Sequence, residues 1–119
     1  MSISARNWAW DVEVYNTAAG ERIKLKAGEK LTLTCLAELE NAEEGCAYPT
    51  KVTIAKKTCQ SIRTVDAHIE SLVRMRAITK EKTRRSRDGR WLRNTYVLHV
   101  PDSYREKDPA WVRHNEYDT

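Results

Sequence analysis

Two short stretches of helical periodicity, separated by only three residues, constrain this chain more than any other feature in it. Thr50 is a candidate N-cap for the first, Lys51 to Lys57, in which Val52, Ile54 and Ala55 are the apolar positions. Ser61 is a candidate N-cap for the second, where Ile62, Val65, Ile69, Leu72 and Val73 mark one face of a helix reaching about Met75. Thr58, Cys59 and Gln60 lie between them. The order is therefore a short helix, a tight turn and a longer helix. At about 1.5 Å per residue the longer one spans roughly 20 Å.

The flanking pattern predicts an α+β domain around this unit. Trp8, Trp10, Val12 and Val14 alternate with polar or small residues, which predicts an N-terminal strand, and Asn16 to Arg22 reads as a polar turn. Leu31, Cys35, Leu36 and Leu39 repeat at helical spacing from about Gly28 to Glu40, with Asn41 to Gly45 as a stop and Tyr48-Pro49 resetting the chain. Thr79 to Arg84 and Trp91 to Val100 read as two strands joined by a basic tip with its turn at Asp88-Gly89. The expected organisation is an arm over residues 1–24, a domain over 25–100 and an acidic tail over 101–119. That tail is either docked or mobile, with a short helix around Ala110 to His114.

Charge is unevenly spread along the chain. Residues 1–48 hold five Lys or Arg against eight Asp or Glu, and residues 94–119 hold three against five. Residues 49–78 hold six against two and residues 79–93 seven against two, so the excess positive charge behind the net +4 lies in the middle. With 40% apolar and 32% charged residues the chain can bury one core under a solvated surface. Cys35, Cys46 and Cys59 form no CxxC pair and have no histidine at ligand spacing, so neither zinc nor a disulfide framework is expected, and free thiols suit a reducing cytosol. No window approaches the roughly 20 apolar residues of a membrane span, and the expected location is cytoplasmic.

A short helix, a tight turn, a longer helix and then a basic hairpin is the order of a winged helix-turn-helix. Tyr48-Pro49-Thr50, Ile54-Ala55-Lys56, Ser61-Ile62-Arg63-Thr64-Val65, Ile69, Leu72 and Ile78, with the later Asn94-x-Tyr96-x-Leu98, resemble the winged helix-turn-helix domains of phage, plasmid and bacterial regulatory or replication proteins. The resemblance covers about residues 25–100. That family usually has Gly in the turn between the helices and again just before the wing, where this chain has Cys59 and Arg76. Those two positions must take another backbone path or accept strain.

The resemblance implies binding to double-stranded DNA, with the longer helix in the major groove. With Val65, Ile69 and Leu72 inward, Arg63, Ala67, Glu70 and Arg74 point outward, with Thr64, His68 and Ser71 along one flank. Arg63, Thr64, Ala67 and His68 are the candidate base-contacting residues, although an exposed histidine on a helix flank is more commonly just solvated. Thr50, Lys51, Ser61 and Arg74, with Arg84, Arg85, Arg87 and Arg90 of the wing, are the candidate backbone contacts. A basic hairpin alone is more often a charged edge that resists sheet pairing, and it gains force only from following the two helices.

Catalysis finds no support: there is no Gly-rich phosphate loop, metal cluster, G-x-S-x-G or framed carboxylate pair, and Glu38 to Glu44 reads as a solvated helix end and loop. No cofactor, metal or small-molecule ligand is expected. Trp8, Trp10 and Trp91 read as core or hairpin packing, whereas Trp111 should pack on the domain or on a second subunit. The expected role is sequence-specific DNA binding in transcriptional control. The alternatives are a replication-origin or recombination accessory factor and, in another class, a protein-interaction adaptor. A monomer and a homodimer are both open. Met1 to Lys24 and Pro101 to Thr119, the segments outside the core motif, are the candidates for a dimer interface.

Overall fold

The computed structural model describes residues 3–16, 20–85 and 92–115. Its elements, in order, are α1 (Ile3–Asp11), β1 (Val14–Asn16), β2 (Arg22–Lys24), α2 (Ala27–Glu38), α3 (Lys51–Thr58), α4 (Ile62–Arg74), β3 (Ile78–Arg85), β4 (Leu92–Leu98), α5 (Asp102–Arg105) and α6 (Pro109–Asn115). β1 pairs antiparallel with β2, and β3 with β4, as two separate two-stranded sheets. Helices with small antiparallel sheets make this an α+β chain. No helix among the described residues is long and apolar enough to cross a membrane.

Helix α4 is the most sharply two-sided element, because Val65, Ile69 and Leu72 recur at helical spacing and are all buried. They meet Leu33 and Leu36 of α2, Ile54 of α3, Ile78 of β3 and Tyr96 and Leu98 of β4 in one cluster. Each such side chain contributes about 1.5–3 kcal/mol by leaving water. Tyr96 also exchanges two backbone hydrogen bonds with Ala47, at 2.7 and 2.9 Å. That bridge ties the α2–α3 connection to the outer edge of β4. The predicted stop after α2 is realised as a turn in which Asn41 Oδ1 accepts from the Glu43 and Glu44 amides and Gly45 takes φ +71°.

The N-terminal segment corrects the expectation of a strand through Trp8, Trp10 and Val12. Residues 3–11 are a helix, and strand begins only at Val14. The alternation of bulky residues misled because the helix packs through small ones. Ala5, Trp8 and Ala9 stand at i, i+3 and i+4 and are the buried stripe against α2, whereas Trp10 is 61% exposed. Its first turn is satisfied from far away, since Ser4 N and Ser4 Oγ both donate to Asp108 Oδ2, at 3.1 and 2.7 Å.

Other expected apolar positions also shift. Leu31, Val52 and Ile62 are exposed, and α2 turns Leu33, Leu36 and Ala37 inward, together with Cys35. Glu40, read as part of a solvated acidic run, is fully buried. Its carboxylate accepts two hydrogen bonds from the Arg105 guanidinium, Nη1 to Oε1 at 2.7 Å and Nη2 to Oε2 at 2.9 Å. Arg105 Nη1 also donates to Ser4 Oγ at 2.9 Å, and the guanidinium lies 3.4 Å from the centre of the Trp111 ring. Residues 102–111 are thus docked on α1 and on Glu40 in the turn after α2, and Trp111 packs on Arg105 of its own chain.

Candidate nucleic-acid interface

Helices α3 and α4 both begin at the hydroxyl caps read from sequence. Thr50 Oγ1 accepts from Thr53 N at 3.2 Å, and Ser61 Oγ accepts from Thr64 N at 3.1 Å while donating to Thr64 Oγ1 at 2.8 Å. The turn between them closes at Cys59, whose backbone is left-handed at φ +56°, with Gln60 N donating to Ala55 O. Arg76, between α4 and β3, is left-handed at φ +62°. Both positions flagged for lacking glycine therefore keep the backbone path that glycine favours, and a side chain bears the strain.

Contacts on two flanks set the orientation of α4. On the α3 side, Lys51 Nζ pairs with Asp66 Oδ1 at 2.6 Å. That hydrogen bond holds the Lys51 ammonium above the usual lysine range. On the α2 side, Gln60 Nε2 donates to Thr32 Oγ1 at 3.0 Å and to Thr58 Oγ1 at 2.8 Å, and Thr32 Oγ1 donates to Gly28 O. The His68 ring fills the space over Gly28, where a Cβ would stand only 2.9 Å from Nε2 and closer still to Cε1. A Cβ at this position would have to displace the His68 ring.

The remaining face of α4 is open. Arg63, Thr64, Ala67, Glu70 and Arg74 are exposed, and Arg74 Nη2 donates to Ser71 Oγ at 3.2 Å. His68 stands on the α2-side flank of this face. It is half-buried against α2, and its Nδ1 is buried with no hydrogen-bond partner among the described residues. Lys51 lies beside the face with its ammonium engaged by Asp66.

Arg84 and Arg85 end β3, in register with Arg93 and Leu92 of β4 after an irregularity between Glu81 and Arg84. Their side chains lie outside the described residues, as do Arg87, Arg90, the Asp88-Gly89 turn and Trp91. At the base of the pair, His99 ties the end of β4 to the residues that join α4 to β3 and to β3 itself. Its Nδ1 lies 2.6 Å from Arg76 O and its Nε2 contacts Thr79 Oγ1.

Comparison with known proteins follows the same outline. The model of a helix-turn-helix domain family matches residues 24–78, the stretch from the end of β2 through α2, α3 and α4 to the first residue of β3. A search of curated proteins and a search of solved structures return no match. The match, which spans a little under half of the chain, supports a helix-turn-helix reading of α3, the turn at Cys59 and α4, and with it a DNA-binding role.

Proposed function

We propose that this chain is a sequence-specific double-stranded DNA-binding protein, a small transcriptional regulator of a phage, plasmid or bacterium, with no chemistry of its own. The observation that carries the reading is the open ridge of α4, Arg63, Thr64, Ala67, Glu70 and Arg74, on a helix fixed from both flanks inside a helix-turn-helix domain. Helix α4 enters the major groove and the β3–β4 pair acts as a wing on the flanking backbone. Arg63 in the first turn is placed for a bidentate contact to guanine, worth about 1–3 kcal/mol of discrimination. Thr64 and Ala67 complete the base-reading set, and Glu70 adds an acceptor suited to a cytosine amino group. The amides and hydroxyls at Thr50 and Ser61, with Arg74, Arg84, Arg85, Arg87 and Arg90, hold phosphates.

The test is selection of bound duplexes from a random pool over several rounds, with wild type, Arg63→Ala and the double variant Arg85→Ala/Arg87→Ala. One enriched motif is expected, relaxed at a single position by Arg63→Ala and weakened uniformly by the wing variant. Salt-labile binding without enrichment would overturn the reading in favour of an adaptor whose basic face docks on an acidic protein.

A further inference from the structure

The sum of charge over residues 1–48 is acidic, yet the structure sorts those charges by face. In β2 and the residues leading into α2, Ile23 and Leu25 turn towards the core, while Arg22, Lys24 and Lys26 are exposed. Glu21 precedes β2 and is itself exposed. Across the sheet, Arg22 stands opposite Asn16 and Lys24 opposite Val14, so neither has a carboxylate as its direct neighbour. Glu29, the acid nearest Lys26 in α2, is buried, and its Oε1 accepts from the Lys26 amide at 2.8 Å. Among the described residues, none of the three cations forms an ion pair.

The place of this strip matters as much as its sign. Lys26 precedes Gly28 by two residues, and Gly28 is where the first turn of α2 meets His68 on the flank of α4 and Gln60 in the turn before it. The strip therefore begins beside the α2-side flank of α4 and runs outward along β2. Its path is fixed by Leu25 N donating to Glu13 O at 2.9 Å and by Lys30 Nζ donating to Val12 O at 2.6 Å. Alternate residues on a strand stand about 6.7 Å apart.

We infer that Arg22, Lys24 and Lys26 form a second phosphate-binding strip, which grips the DNA backbone on the α2 side of the recognition helix while the β3–β4 pair holds another stretch. The inference rests on the DNA-binding reading above and extends it to a segment whose net charge argued against any contact.

The experiment compares wild type, the triple variant Arg22→Gln/Lys24→Gln/Lys26→Gln and the control Lys107→Gln/Arg113→Gln. Each is titrated on the selected duplex at several salt concentrations, with hydroxyl-radical footprints of each complex. The triple variant is expected to lower the steepness of log affinity against log salt by between about 2 and 3, at roughly 0.9 for each phosphate no longer neutralised. It should lose protection at one flank and keep the wild-type base preference, while the control keeps the wild-type slope. Lys24→Gln alone, expected to lower the slope by about 0.9, serves if the triple variant melts early. An unchanged slope and footprint in a folded variant would overturn this strip and leave the major-groove reading standing. Absence of DNA binding by wild type would overturn both.

Discussion

The buried pair of Glu40 and Arg105 is a case in which one residue's environment decides the sign of a mutation. Removing either partner strands the other charge in the interior, so Arg105→Met and Glu40→Met are each expected to destabilise the fold by about 3–5 kcal/mol. The double variant should lose less than either single one, because no unpaired charge remains. Urea unfolding of the four proteins measures the cycle. A second residue-scale expectation concerns Cys59. A left-handed non-glycine residue carries about 1–2 kcal/mol of steric cost, partly offset by the extra freedom glycine has when unfolded. Cys59→Gly should therefore stabilise by about 0.5–1 kcal/mol, seen as a higher midpoint at unchanged slope in the same titration.

Between elements, the α2–α4 junction makes a coupled prediction. Gly28→Ala adds helix propensity worth up to about 1 kcal/mol, but the new methyl meets the His68 ring. In wild type the substitution should be neutral or destabilising, whereas in a His68→Ala background it should stabilise. A thermal-melt cycle of the four proteins distinguishes this from additivity. This junction also shows the limit of reading elements singly. Caps, turn and core face of α3 and α4 were legible because each is a local signal: Thr50 and Ser61 accept from amides three residues on, and Val65, Ile69 and Leu72 share one stripe. His68 looked free on its own helix because the residue that receives it lies on another. Helix α1 was misread for the same reason, since its stripe of Ala5, Trp8 and Ala9 faces α2 and its terminal acceptor comes from Asp108.

For the whole molecule, several groups retain their protons more tightly when folded. Burial raises the pKa of Tyr15, Tyr96 and the Cys35 thiol, and the hydrogen bond to Asp66 raises that of Lys51. In each case the unfolded chain loses its proton first as pH rises, so the folded state then holds more protons and stability falls. The melting temperature should stay level through neutral pH, begin to decline near pH 9 as Cys35 enters this window, and drop more steeply above about pH 10. Scanning calorimetry across pH 7–11 checks the sign. At this scale the sequence told least about the two flanking segments, since the partners that dock them are about a hundred residues apart in the chain.

The contact between Ser4 and Asp108 also bears on the order of events during synthesis. Helix α1 leaves the ribosome before the helix-turn-helix, yet the carboxylate that receives its first turn is made 104 residues later. The nascent chain can assemble α2, α3 and α4 around their shared core well before then. Helix α1 can pack on α2 early, but its first turn gains the Asp108 acceptor only after α2, α3 and α4 have all been made, so that contact closes late in assembly.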